Sequence, residues 1–156
     1  MLVYLHCRTR KNMTKQAQEL IKAYGLRKTS CRLDILHLFL TNEHALAHAD
    51  IEQTLNDRYD RVTIYRTLYA FKEKGLLHSI NDVSGAIKYA LCQEACDQHQ
   101  HYDNHIHFSC TACGQTFCIS EVHIPPMQLP AGYKADKLHF SAEGLCKTCS
   151  QATAQN

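Results

Sequence analysis

Apolar positions in the first half of the chain recur at the three-to-four spacing of helices, then give way to two short runs that read as strands. The run from Thr14 to Tyr24 is helical and stops at Gly25, while residues 1–12 ahead of it read as a disordered extension. Thr29 and Ser30 can cap a second helix, whose apolar stripe is Leu33, Leu36, Phe39 and Leu40. A third runs from about His48 to Arg58 with Ile51 and Leu55 inward. A fourth has Asp60 as candidate cap, Gly75 as stop and Ile64, Leu68 and Phe71 as its buried stripe.

At about 100° per residue, Val62, Tyr65, Arg66 and Tyr69 of that fourth helix point largely away from the stripe. Hydroxyls, a guanidinium and an apolar side chain on one outer face can contact base edges, thymine methyls and phosphates together. Next come residues 76–80 and 86–91, separated by the turn residues Asp82-Val83-Ser84-Gly85, which is a hairpin signal. Helices followed by a two-stranded hairpin are the layout of a winged helix-turn-helix, whose last helix enters the major groove. Double-stranded DNA is the expected partner.

Charge sharpens this division. Residues 1–80 carry 13 Lys+Arg against 8 Asp+Glu, and residues 81–156 carry 4 against 7. A basic first half suits a phosphate backbone, although its net +5 is modest and function rests on pattern. Cysteines divide the other way: of nine, only Cys7 and Cys31 precede residue 81. The first residues lack the long apolar run with leading positive charge that a secretory signal needs. No window approaches the roughly 18 apolar residues of a membrane span. A cytoplasmic chain without membrane contact is expected, and there clustered cysteines bind metal more often than each other.

Two C-x-x-C pairs stand 32 residues apart, Cys110 with Cys113 and Cys146 with Cys149. Four thiolates complete a tetrahedral shell for Zn²⁺ and leave no open position, so this site is expected to be structural. The separation exceeds that of a simple zinc ribbon, so a folded unit must fill it; Gln115 to Ile119 and Tyr133 to Phe140 read as extended. The prolines of Glu121 to Pro130 rule out a regular helix there. Upstream, His105 and His107 alternate along a strand leading to Cys110, so both rings leave one face and can share a metal. Cys92, Cys96 and Cys118 offer thiolates, which with imidazole favour zinc over hard, oxygen-preferring cations. His99 and His101 read as loop residues. His44 and His78 are the candidate ligands from the first half.

These motifs, in this order, resemble the ferric uptake regulator family of metal-sensing repressors over about residues 14–149. The resemblance rests on Arg61-Val-Thr-Ile-Tyr65-Arg66-Thr-Leu, on the hairpin ending in Lys88-Tyr89, on His105-x-His107-x-x-Cys110-x-x-Cys113-Gly114 and on Gly144-x-Cys146-x-x-Cys149. It implies an α+β chain: a winged helix over 13–91, a hinge over 92–104, a small α/β or mostly-β dimerisation domain over 105–150 with the four-cysteine zinc, and a tail over 151–156. It also implies a homodimer on a palindromic operator and a second, regulatory metal at the hinge, where the thiolate and imidazole donors favour zinc over Fe²⁺. By position Tyr65 and Arg66 become DNA contacts, joined by Arg61 and Thr63 of the same segment, and Arg27 reaches toward the minor groove. His105 and His107 match regulatory ligands. Where members with an additional site carry a His and an Asp, this chain has Asn104 and Ile106; where many have a Glu, it has Cys118.

Iron- or peroxide-responsive regulators of the same fold are the near alternatives, and both favour carboxylate–histidine shells. A thiol redox or metal-dependent enzyme is the alternative of another class. It needs an open metal position and a nucleophile–base pair, which the sequence does not offer, so neither an enzyme nor a small-molecule substrate is expected.

Overall fold

The computed structural model describes residues 3–82, 85–92, 105–122, 124–136 and 138–153. Helix α1 spans Val3–Ala23, so it begins within the stretch expected to be a disordered extension. No glycine or proline interrupts those residues, and nothing local stops the helix from propagating that far back. It ends where Gly25 adopts φ +63°, with Gly25 N–H bonded to the Lys22 carbonyl and Leu26 N–H to that of Ile21. This paired closure needs a left-handed residue after the helix, which glycine supplies without strain.

Helices α2 (Ser30–Thr41), α3 (His48–Leu55) and α4 (Arg61–Glu73) follow. Thr29 caps α2 by accepting from Arg32 N–H at 3.3 Å, and Asp60 caps α4 by accepting from Thr63 N–H at 2.9 Å. Gly75 closes α4 as Gly25 closes α1, with Leu76 N–H on the Phe71 carbonyl. One core gathers Ile21, Ile35, Leu36, Phe39, Ile51, Ile64, Leu68 and Phe71. In α2 the fully buried face is Cys31, Ile35, Leu36 and Phe39, while the expected Leu33 and Leu40 are only partly buried at its edges. Tyr59 donates its hydroxyl to Asp34 at 2.7 Å and ties the turn before α4 to α2.

The first sheet has the order β1–β3–β2, with β1 at Leu46–Ala47, β2 at Leu77–Asn81 and β3 at Ile87–Leu91. Strands β2 and β3 are the expected hairpin; β1, only two residues long, gave no periodic signal. The antiparallel register sets Leu77 against Leu91 and Ser79 against Tyr89, His78 against Ala90 and Ile80 against Lys88. Side chains alternate, so Leu77, Tyr89 and Leu91 pack on the helical core and His78, Ile80, Lys88 and Ala90 share the opposite face.

The second sheet has the order β5–β4–β6, with β4 at Ile106–Cys110, β5 at Thr116–Ile119 and β6 at Ser141–Gly144. Strand β4 pairs antiparallel with β5 and parallel with β6. The strand expected over Tyr133 to Phe140 forms one step later: the Phe140 carbonyl only accepts from His107 N–H at 2.9 Å, and pairing continues through residues 141–144. Tyr133 is largely exposed instead. The short helix α5, Lys147–Thr153, carries Cys149 and runs past the expected start of a tail at 151. The two sheets meet directly. Ala45 N–H, just ahead of β1, bonds to the Thr116 carbonyl of β5 at 2.7 Å.

Candidate metal centres and the outer face of the fourth helix

The end of β4 and the turn after it present Cys110 and Cys113, and the segment after β6 presents Cys146, with Cys149 on α5. Their sulfur atoms all lie within 4.8 Å of one another. Gly114, at φ +71°, lets the chain turn back so that its N–H reaches the Cys110 carbonyl at 3.0 Å. The Cys113 and Cys146 sulfurs are 3.9 Å apart, and both are free thiols. A tetrahedral zinc shell with Zn–S about 2.3 Å has sulfur–sulfur edges of roughly 3.8 Å, so the spacing fits a metal and is too long for a disulfide.

The electrostatics agree. Backbone N–H groups of Cys113 and Cys146 pull the Cys110 thiol down to about 6. Hydrogen bonding from Cys146 pushes Cys149 up to about 12, and Cys113 is raised as well. A divalent cation is the group whose charge would let all four be thiolates.

A second group joins both sheets. His107 and Cys118 sit directly opposite each other in the β4–β5 register, and His105 lies two residues before His107. All three meet His78 of β2, so that ligand atoms of His78, His105, His107 and Cys118 lie within 4.8 Å of one another. The Nε2 atoms of His105 and His107 are 3.0 Å apart, and Cys118 Sγ is 3.4 Å from His78 Nε2. His78 and His107 are almost fully buried. With Zn–N about 2.0 Å, a tetrahedral shell of this composition has edges of roughly 3.3–3.6 Å, and the donors present fit it.

Of the candidate regulatory ligands, the structure brings together His78, His105, His107 and Cys118. It does not bring in His44. That ring packs edge-on against Phe117 at 6.2 Å, and Phe117 alternates to the face of β5 opposite Cys118. Cys92 also stands outside the group of four. Its sulfur faces the other nitrogen of His78, Nδ1, at 3.6 Å, where it can orient the ring rather than share the cation. Cys96 lies outside the described residues, as do His99 and His101. Strand parity was the signal for choosing His78 over His44: its neighbours Leu77 and Ser79 face away from it.

On α4, Val62, Tyr65 and Tyr69 are each more than half exposed, and Arg66 is exposed beside them. Thr63 is differently employed. Its hydroxyl donates to Asp60 at 2.6 Å, which holds the Asp60 carboxyl below its usual range and commits Thr63 to the cap. The exposed Arg61 side chain lies 3.9 Å from Glu52. Arg27 is exposed just before α2, and its carbonyl accepts from Arg32 at 2.7 Å. Among the described residues no helix is long and apolar enough to cross a membrane.

The sequence pattern of the ferric uptake regulator family matches residues 23–136. The ferric uptake regulation protein of Staphylococcus epidermidis (strain ATCC 12228 / FDA PCI 1200) is 31% identical over 144 residues, 88% of this chain and 96% of that protein. That of Staphylococcus aureus (strain N315) is 29% identical over 140 residues, 87% of this chain and 97% of the relative. Among solved structures, a zinc uptake regulator complexed with zinc and DNA superposes with a TM-score of 0.63 at 21% identity, covering 92% of this chain and 97% of the other. The Vibrio cholerae ferric uptake regulator gives a TM-score of 0.55 at 19% identity, with 82% and 98% covered. At these identities the structural likeness is one of fold. The enzyme alternative falls with the family match, for the chain belongs to the ferric uptake regulator family, whose members are metal-responsive transcription regulators.

Proposed function

We propose that the chain is a cytoplasmic, zinc-responsive repressor that binds palindromic operator DNA as a homodimer. One observation carries this reading: His78 belongs to the hairpin of the winged helix, whereas His107 and Cys118 belong to the second sheet and His105 stands just ahead of its β4. Donors from both sides let one ligand bias how the two are arranged. When bound, the metal supplies coordinate bonds that stabilise a single arrangement of the sheets. His78 presents Nε2 to the shared centre while Cys92 steadies Nδ1. A hundredfold gain in operator affinity needs about 2.7 kcal/mol of coupling, which is within reach of one such site.

In this reading Cys110, Cys113, Cys146 and Cys149 hold a structural zinc, residues 13–91 bind DNA, 92–104 form the hinge and 105–150 dimerise. Tyr65 and Arg66 meet the major groove, with Arg61 beside them and Arg27 directed to the minor groove. Exposed Val122, Met127, Leu129, Tyr133, Leu138 and Leu145 offer apolar surface to a second copy. Two copies would set two α4 helices about one helical turn, roughly 34 Å, apart.

Three imidazoles and one thiolate, with no carboxylate among them, suit zinc better than hard cations. Iron is the second reading, favoured by the ferric uptake regulation proteins among the relatives. Anaerobic titration of Zn²⁺ and of Fe²⁺ into protein holding only its clamp zinc, followed by operator binding, separates the two. Zinc is expected to raise DNA affinity at the lower free concentration. A rise with Fe²⁺ alone would make the protein an iron sensor.

A further inference from the structure

Lys88 points from β3 into the contact between the two sheets, and its ammonium is all but buried. A buried charge is tolerated only with complete partnering. Lysine has three N–H donors, and three acceptors are in reach: Asp82 Oδ2 at 2.7 Å, the Gly114 carbonyl at 2.6 Å and Thr116 Oγ1 at 3.1 Å. Asp82 belongs to the hairpin itself and is also buried; Gly114 and Thr116 belong to the second sheet. Thr116 is wholly buried, and its carbonyl receives the Ala45 N–H.

Lys88 shares its face of the hairpin with His78, and Thr116 shares its face of β5 with Cys118. Two ties therefore cross the same pair of surfaces, two residues apart along β5. One runs through the metal-ligating group, the other through an ammonium. We propose that Lys88 is a positioning residue: clamped by Asp82, it holds the hairpin on Gly114 and Thr116 whether or not metal is bound, and so brings His78 within reach of His105, His107 and Cys118. This rests on reading those four residues as the second metal centre. Metal then closes a site already assembled rather than drawing two loose parts together, and its affinity includes that pre-organisation.

The test uses the full chain with its clamp zinc and the double variant Lys88→Met, Asp82→Asn. Removing both charges leaves no buried ion unpaired, and the asparagine can still accept the Ala86 N–H that Asp82 accepts at 3.2 Å. Amide exchange is followed at Ala45, whose N–H crosses between the sheets, and at Ile64 and Leu68 within α4. Zinc affinity at the second centre is measured in parallel. The expected result is exchange at Ala45 faster by about tenfold or more, with α4 unchanged, one zinc per chain retained and the second zinc bound about tenfold more weakly. Unchanged Ala45 protection and unchanged second-site affinity would overturn the proposal. So would equal acceleration of Ala45, Ile64 and Leu68, because the pair would then be general ballast for stability. If wild-type protein takes up no second zinc, the metal-centre reading fails, and the Ala45 comparison alone decides whether Lys88 is the tie.

Discussion

Cys110 has the most constrained chemistry of any side chain described here. It is buried at the end of β4, receives the Cys146 N–H at 3.2 Å and is drawn toward the thiolate by neighbouring amides. A serine there keeps the size of the side chain and loses the soft, ionisable donor that zinc requires. Cys110→Ser should bring clamp zinc below one per chain and melt the second sheet, because metal binding energy at such a site is folding energy. Metal analysis with near-ultraviolet circular dichroism reads both. A serine variant that kept its zinc and its melting temperature would show that the thiolates do something else.

At the level of single elements, α4 divides its labour among its faces. Ile64, Thr67, Leu68 and Phe71 are buried, the Asp60–Thr63 pair caps the start, and Val62, Tyr65, Arg66 and Tyr69 are left to face outward. Arg66→Ala should weaken operator binding and reduce the slope of its salt dependence by about one, as expected for one phosphate contact. Tyr65→Ala should weaken binding with the salt slope unchanged. Thr63→Ala should act mainly through the helix, lowering the melting temperature, because its hydroxyl is committed to Asp60. Fluorescence anisotropy across a salt series distinguishes the three, and equal affinities for wild type, Tyr65→Ala and Arg66→Ala would move the DNA contact elsewhere.

This helix was also the most legible part of the chain, since its cap, its stop and its apolar stripe all lie within fifteen residues of one another. The clamp was legible for the same reason: a C-x-x-C pair is a local pattern, and two of them need little else to declare a metal shell. What escaped depends on distant partners. Strand β1 exists only because β3 lies beside it, and β6 has the weak strand formers Ser-Ala-Glu-Gly and borrows its conformation from β4. The seven-residue helix α5 is too short to stand alone. His44 and His78 looked equivalent until the sheet faces were known, and nothing local marks Lys88 and Asp82 as a buried pair.

At the scale of the whole molecule, the described residues form two three-stranded sheets in contact, with the helical core behind the first and the thiolate clamp at the end of the second. In the proposed reading, a metal that bridges the sheets takes its one ligand on the α4 side from His78. His78→Ala should therefore abolish the metal dependence of operator binding while leaving clamp zinc and the metal-free DNA affinity near wild type. His44→Ala, which trims a ring resting on Phe117, should leave the metal response intact. Operator binding with and without added zinc reads both variants, and a metal response that survives His78→Ala would mean that the responding metal does not depend on His78 as a ligand.

Strand β4 carries His107 near its start and Cys110 at its end, and it lies between β5 and β6. Cys110 and Cys146 are 36 residues apart, so a metal held by both ties the end of β4 to the segment that follows β6. Zinc in the clamp would therefore also steady β4, the strand on which His107 stands. If both proposed metal sites hold, a chain whose clamp stood empty would present a loosened His107, and its response to metal at the second centre would be weakened until the clamp was filled.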